Sequence, residues 1–426
     1  MFCAMLATKM AVKYLKLAPA QNACLGGLLT SRMLPILTLW YLHKVMAGIF
    51  VVMYFQRIWI TANSHLLQQL MYTNNGPNVK LLEQRLAAFH QAEYCITFCS
   101  GFWAIAIAIS ALALKGKTEI VMPSLTYRRM ADIAAWVNLK PHFCEVEATT
   151  LAMSAATARL CINENTALIL AVHPIVNCGD VEGLVALAKE KNIPLLFDSV
   201  ESIYESTASG KVGGSGKAEI FSLHASKLLN GFEGGYITTN DASLAKQLAM
   251  MRGFGFGGID NIVVPDGMNA KLNEVHAAMT LTSLDDLEDQ VARNRQRYNT
   301  YKRLLAAIPG IRLLDFDENH QTSYKNIVVE LLGDWPLTRA DTINILNAEK
   351  ILARAYYSPA LHQKPMAYAH VPAKLPLTDR FAERFLNLPC GHLVSNDDIT
   401  NIVKFLEFMS ANASRISEHL CEKGEK

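Results

Sequence analysis

The sequence predicts an α/β fold in which a mostly parallel sheet is covered by helices on both faces and followed by a smaller α/β domain. Three observations predict it. From Thr73 onward, short apolar runs rich in β-branched residues alternate with helix-length amphipathic segments. No internal repeat or low-complexity tract interrupts the alternation. A long polar-amphipathic stretch, 273–307, then stops at Pro309-Gly310 ahead of a second group of apolar runs.

In order, the expected strands are 94–98, 119–122, 142–146, 167–173, 194–198, 218–222 and 235–239, a seven-stranded set. Between them lie expected helices at 103–114, 129–137, 181–191 and 243–251. The stretch 273–307 reads as one helix leading to the second domain, with strands at 324–331 and 351–356 and helices at 339–349, 378–385 and 397–409. The expected divisions are a hydrophobic extension over 1–63, a large domain over 64–308 and a small domain over 309–426. The extension contains 33–55, long enough to span a bilayer but carrying His43 and Lys44 at its middle. A membrane anchor, a signal peptide, a buried or poorly ordered extension and a start assigned upstream of Met53 or Met71 all stay open for it.

Composition narrows the function classes. A chain of 426 residues, 51% hydrophobic and 18% charged, can bury a large core. Its 40 basic and 38 acidic residues give a net charge of +2 without a basic stripe, which argues against a nucleic-acid partner. The nine cysteines are scattered, with no paired C-x-x-C ligand set, so a reducing, cytoplasmic compartment and no metal site are expected.

In such sheets, ligands bind beyond the carboxyl ends of strands. Asp198 closes the apolar strand 194–198, and Lys227 lies in the turn leaving 218–222. Either alone is an ordinary turn residue. Gly101 after the first strand, however, offers free N–H groups and a helix N-terminus to an anion, and Ser222 adds a hydroxyl. Tyr127 follows the second strand, where it can cover a planar ring. Phosphate cradle, ring cover, carboxylate and lysine together describe a pyridoxal 5'-phosphate site.

Over most of the chain, 74–409, the sequence resembles the DegT/DnrJ/EryC1/StrS sugar aminotransferases, which are fold-type I pyridoxal-phosphate enzymes. The matching pieces stand in the family's order: Thr73-Asn74-Asn75-Gly76-Pro77, Pro123-Ser124-Leu125-Thr126-Tyr127, Phe197-Asp198-Ser199-Val200-Glu201, His224-Ala225-Ser226-Lys227, Glu233-Gly234-Gly235, and Asn269-Ala270-Lys271-Leu272-Asn273-Glu274. Tyr357-Ser358-Pro359-Ala360-Leu361-His362 is similar to a further family segment. The resemblance implies that Lys227 carries the cofactor as a Schiff base, Asp198 pairs with its ring nitrogen and Tyr127 stacks on the ring. It also implies that backbone around Gly101 and Phe102, with Ser222, holds the phosphate, and that Glu201 lies near the ring hydroxyl. A homodimer with shared sites is implied, with Asn269, and in one reading Asn230, reaching across the interface. His173, Asn230 and His362 are the candidate substrate contacts, although His173 at a strand end is more often structural.

The implied activity is transfer of nitrogen from an amino acid such as L-glutamate to a keto sugar, with a nucleotide-linked 4-keto-6-deoxyhexose the nearest family pattern. A cyclitol or non-sugar ketone, and an inactive cofactor-binding scaffold, stay open. Two features depart from the family. The phosphate loop reads Ser100-Gly101-Phe102-Trp103, with Phe102 where the family usually places a threonine whose hydroxyl would add ~1.5–3 kcal/mol. The N-terminal segment also lacks the family's proline-rich entry strand.

Overall fold

The computed structural model describes residues 73–258 and 260–424. The extension over 1–63, with its apolar segment, lies outside the described residues. Among those described, no helix is long and apolar enough to cross a membrane.

The chain opens with helix α1 (Pro77–His90). Its N-terminal N–H groups are satisfied from a distance: the buried Glu274 carboxylate accepts from Gly76 and Asn78, each at 2.8 Å, and from Val79. This ties the Thr73–Pro77 motif to the second half of the domain. Strands β1 (Tyr94–Phe98), β2 (Glu119–Pro123), β3 (Lys140–Cys144), β4 (Thr166–Val172) and β5 (Leu195–Asp198) follow. After a small hairpin, β6 (Ser206–Thr207) and β7 (Gly210–Lys211), come β8 (Ala218–Ser222) and β9 (Gly235–Thr239). The main sheet has seven strands in the order β1-β9-β8-β5-β4-β2-β3. Only β9 runs against the others. The carboxyl ends of β1, β2, β4, β5 and β8 therefore share one edge, where β9 begins at Gly235.

Helix α2 (Gly101–Leu112) explains how the sheet is filled. Ala104 through Ile109 are all buried, so this helix is apolar all round and lies inside the core. Ser100 caps it, accepting from Trp103 N–H at 3.3 Å. The remaining helices around this sheet are α3 (Met130–Trp136), α4 (Ala155–Arg159), α5 (Val181–Lys191) and α6 (Ala242–Met251).

Several expected elements need correction. The single helix over 273–307 is two, α7 (Glu274–Asp285) and α8 (Leu287–Leu305), broken at Asp286. Consecutive aspartates favour termini over helix interiors, and Glu288 and Asp289 suit a new helix start. The third strand starts two residues earlier than expected, at Lys140. The helix expected over 378–385 is α10 (Pro376–Ala382), and Phe385 instead opens a strand.

That strand, β13 (Phe385–Leu388), belongs to a second sheet with β10 (Ile311–Leu313), β11 (Ile327–Leu331) and β12 (Arg354–Ala355), in the order β10-β11-β13-β12. Helices α9 (Arg339–Ala348), α11 (Asn396–Ala411) and α12 (Ala413–Gly424) complete this part. One apolar core runs through both parts, joining Phe221 and Leu281 to Ile327, Leu386 and Leu406. Elements carrying the strand-end residues are thus held against the second sheet by packing.

Candidate active site

The shared strand edge is also where the conspicuous side chains gather. Asp198 ends β5 and Ser222 ends β8, its hydrogen-bonded neighbour. After Asp198 the chain turns sharply, with Val200 N–H donating to Asp198 Oδ1 at 3.1 Å. The carboxyl is almost fully buried, and burial pushes its pKa up to about 6 against the weaker opposing pull of the Val200 N–H and the Lys227 charge. A buried carboxyl in that condition favours a cation brought to it.

Lys227 is placed by a closed loop between β8 and β9. Leu223 N–H donates to Gly234 O, Ala225 N–H to Phe232 O and Gly231 N–H to Leu223 O, while Leu228 and Leu229 are buried beneath. Gly231 is required there, because a Cβ would stand 2.2 Å from Thr280 Oγ1 and 2.7 Å from His276 O. The Lys227 amine donates to Glu201 Oε1. Burial alone would lower its proton affinity, but Glu201, by charge and hydrogen bond and with help from Asp198, outweighs burial and favours the ammonium.

Glu201 is held from two sides. Its other oxygen accepts from Lys325 Nζ at 2.8 Å, from the segment just before β11 in the second sheet. Burial would raise the Glu201 pKa, yet Lys325 and Lys227 together bring it down to about 2. Lys325 was missed by sequence reasoning, because a lone lysine ahead of a short apolar strand carries no local signal.

The start of α2 meets the end of β8 at close range. A Cβ at Gly101 would lie 3.2 Å from Ser222 Cβ and 3.3 Å from its Oγ, and a Cβ at Gly235 would lie 2.7 Å from Gly101 N. Larger residues at either position would fill the space over the N–H groups. A cradle of glycine backbone, a serine hydroxyl and a helix N-terminus suits a phosphate. Tyr127 is 45% exposed, leaving a free ring surface. These residues fit pyridoxal phosphate: cradle, half-free ring, buried carboxyl and amine lie along one strand edge.

The other expected site residues sit differently. Phe102 is half-buried and joins an aromatic group with Trp103 at 5.1 Å and Trp136 at 6.4 Å between centroids. His173 is buried, stacked on Phe197 at 5.3 Å, and accepts from Gly179 N–H at 3.2 Å; burial lowers its pKa to about 4, so it is neutral at pH 7. That is a packing place. Asn230 donates to Lys227 O at 3.4 Å within its own loop and, through its backbone N–H, to Ser283 Oγ of α7 at 3.3 Å. Asn269 is exposed and accepts from Lys271 Nζ at 2.6 Å. His362 pins the second sheet's region to the β2 loop: its Nδ1 shares a hydrogen bond with the fully buried Ser124 Oγ at 2.7 Å, and its Nε2 meets Asp379 at 3.0 Å.

The model of the DegT/DnrJ/EryC1/StrS aminotransferase family matches residues 59–407. The chain is 29% identical, over 79% of its length and 91% of the relative's, to the dTDP-4-amino-4,6-dideoxy-D-glucose transaminase of Shigella dysenteriae. It is 25% identical, over 81% of its length and 93% of the relative's, to GDP-perosamine synthase of Escherichia coli O157:H7. Among solved structures, DesI in the presence of its TDP-sugar product superposes with a TM-score of 0.78 at 29% identity, covering 85% of this chain and 92% of that one.

Proposed function

Because the chain belongs to the DegT/DnrJ/EryC1/StrS aminotransferase family, and is a pyridoxal-phosphate-dependent transaminase, we propose that it moves an amino group from L-glutamate to a nucleotide-linked 4-keto-6-deoxyhexose, with Lys227 as the covalent anchor. One observation carries the reading. Asp198 ends β5 and Lys227 lies in the loop leaving its neighbour β8, both buried and coupled by charge, with the Gly101–Ser222 cradle at the same edge.

Pyridoxal phosphate, when bound, supplies an aldehyde that accepts the amino group and a ring that withdraws electrons from the reacting carbon. The chain's residues do the rest. The N–H groups of Gly101 and Phe102 and the Ser222 hydroxyl would hold the phosphate, and Tyr127 would cover the ring. Asp198 would keep the ring nitrogen protonated, a role its buried carboxyl suits. With the cofactor bound, the Lys227 amine would be its anchor and would have to be uncharged to serve as one. The same amine would be the group placed to take up and return a proton at the substrate's α-carbon, as base and then acid.

The acceptor assignment rests on the relatives, which are named for dTDP-linked 4-amino-4,6-dideoxyglucose and GDP-perosamine. The bulk of Phe102 beside Trp103 and Trp136 favours a second reading, with a cyclitol or non-sugar ketone as acceptor. We further propose a homodimer, with Asn269 serving the partner's site, and a cytoplasmic location. The test is to incubate purified enzyme with L-glutamate and a panel of keto compounds and weigh the products. An aminated nucleotide sugar is the expected product. A protein that binds the cofactor but aminates nothing in the panel would sink the acceptor assignment.

A further inference from the structure

Glu201 is a carboxylate shared by two lysines from different parts of the fold. Lys227 reaches its Oε1 from the β8–β9 loop, and Lys325 reaches its Oε2 at 2.8 Å from the segment just before β11. All three side chains are mostly buried, at 14–17% exposure. The two lysines differ in what else they must do. If Lys227 anchors the cofactor, its amine spends the reaction bonded elsewhere or uncharged, and Glu201 then loses that partner. A buried carboxylate left without a cation is strongly unfavourable.

We propose that Lys325 is the permanent counter-ion of Glu201, keeping it charged and in place through the states in which Lys227 is engaged elsewhere, and so acts as a positioning residue for the anchor. This rests on the reading of Lys227 given above. Lys325 is well fixed for the task. Its carbonyl oxygen accepts from Cys390 Sγ at 2.8 Å, and β11 follows directly. Among the described residues, Asp198, Tyr127, Tyr356, Tyr357 and Cys390 also act on this cluster, with Arg297 beyond Cys390. Arg297 bears on Cys390, whereas the cations acting on Glu201 are Lys325 and Lys227. By sharing the carboxylate, Lys325 also weakens Glu201's hold on the proton of Lys227.

Two measurements on the full chain test this. The first is a melting-temperature cycle on the cofactor-free protein with Lys227→Ala, Lys325→Met and the double variant. Each single variant leaves Glu201 one cation, whereas the double leaves none. The double is therefore expected to lose more than the two single losses added, and the excess should fade as the pH falls and Glu201 takes up a proton. It should vanish when Glu201→Gln is added. Additive losses would overturn the proposal. The second is the pH midpoint of the holoenzyme's visible absorbance, expected to rise by about one unit in Lys325→Met and to stay in place in Lys325→Arg, which keeps the charge. A midpoint unmoved in Lys325→Met would likewise overturn it. Borohydride reduction with peptide mapping examines the anchor separately, since label absent from residue 227 would sink that reading whatever the melts show.

Discussion

The rim of the seven-stranded sheet and the rim of the four-stranded sheet supply the site on different terms, and its two acidic groups show how. Asp198 belongs wholly to the first. Its hydrogen bond comes from its own turn, burial dominates, and its pKa rises to about 6. Glu201, three residues on, is reached by a cation from each region and falls to about 2. The first carboxyl is built to receive a cation from outside the chain, and the second arrives already supplied. A single strand edge presents the reactive groups, and the second sheet adds a cation that helps hold the charge on one of them.

The sharpest way to break this comparison is to remove the groups presented by the first rim. Lys227→Ala is expected to lower transamination by about 10³-fold or more, since anchor and proton carrier go together. Product mass and borohydride labelling report it, and retained full activity would refute the mechanism. Asp198→Asn should follow at about 10²-fold, because an amide cannot hold the ring nitrogen's proton by charge.

The two acids should also separate in the pH dependence of stability. Asp198 has a folded pKa near 6 against an ordinary value of about 4, so the stability it contributes is complete below pH 4 and lost as pH rises through 6. The loss is on the order of 3 kcal/mol for the cofactor-free protein, and Asp198→Asn should abolish that decline. Glu201 has the opposite sign. Its folded pKa near 2 means stability present above about pH 4.5 and lost as pH falls through 2, a limb that Glu201→Gln should flatten. Melting curves of the two variants against pH check both. Parallel curves would show that the second rim does not supply Glu201 as described.

The contrast also explains what could be read from the chain alone. Asp198, Ser222, Lys227 and Gly101 all follow apolar runs of strand length, and parallel strands bring such positions to one edge, so periodicity plus the strand-end rule locates them. Lys325 and the Ser124–His362 tie depend on how the second sheet packs on the first. Ser124 and His362 are 238 residues apart, and no local pattern encodes that contact. The same reason hides strand β10, only three residues long, and the strand beginning at Phe385, whose residues look helical until Ile327–Leu331 pairs with them. The break at Asp286 was legible in its aspartates but outweighed by the amphipathic period on either side.

Phe102 gives a smaller, more local test of the first rim. If the phosphate lies at the start of α2, Phe102→Thr supplies a hydroxyl bonded to a charged group, worth ~1.5–3 kcal/mol. Part of that gain offsets the lost contact with Trp103 and Trp136. Cofactor affinity is expected to tighten by about tenfold, roughly 1.4 kcal/mol, while Phe102→Ala should not tighten it. Equilibrium titration of the absorbance decides, and equal behaviour of the two variants would place the phosphate elsewhere.

The smallest effect belongs to the second rim's tie to the β2 loop. His362→Ala removes the hydrogen bond to Ser124 Oγ and the contact with Asp379, but the backbone bonds from Leu361 N–H to Ser124 O and from His362 N–H to Ser124 Oγ remain. Ser124 keeps a donor, so the cost should be about 1 kcal/mol, near that of one ordinary hydrogen bond. With its side chain only 9% exposed and both ring nitrogens engaged, His362 has little left to offer a substrate. The melting temperature should therefore fall while KM for the keto acceptor barely moves. A large rise in KM at unchanged stability would return His362 to the substrate contacts and make the second rim a source of specificity as well as charge.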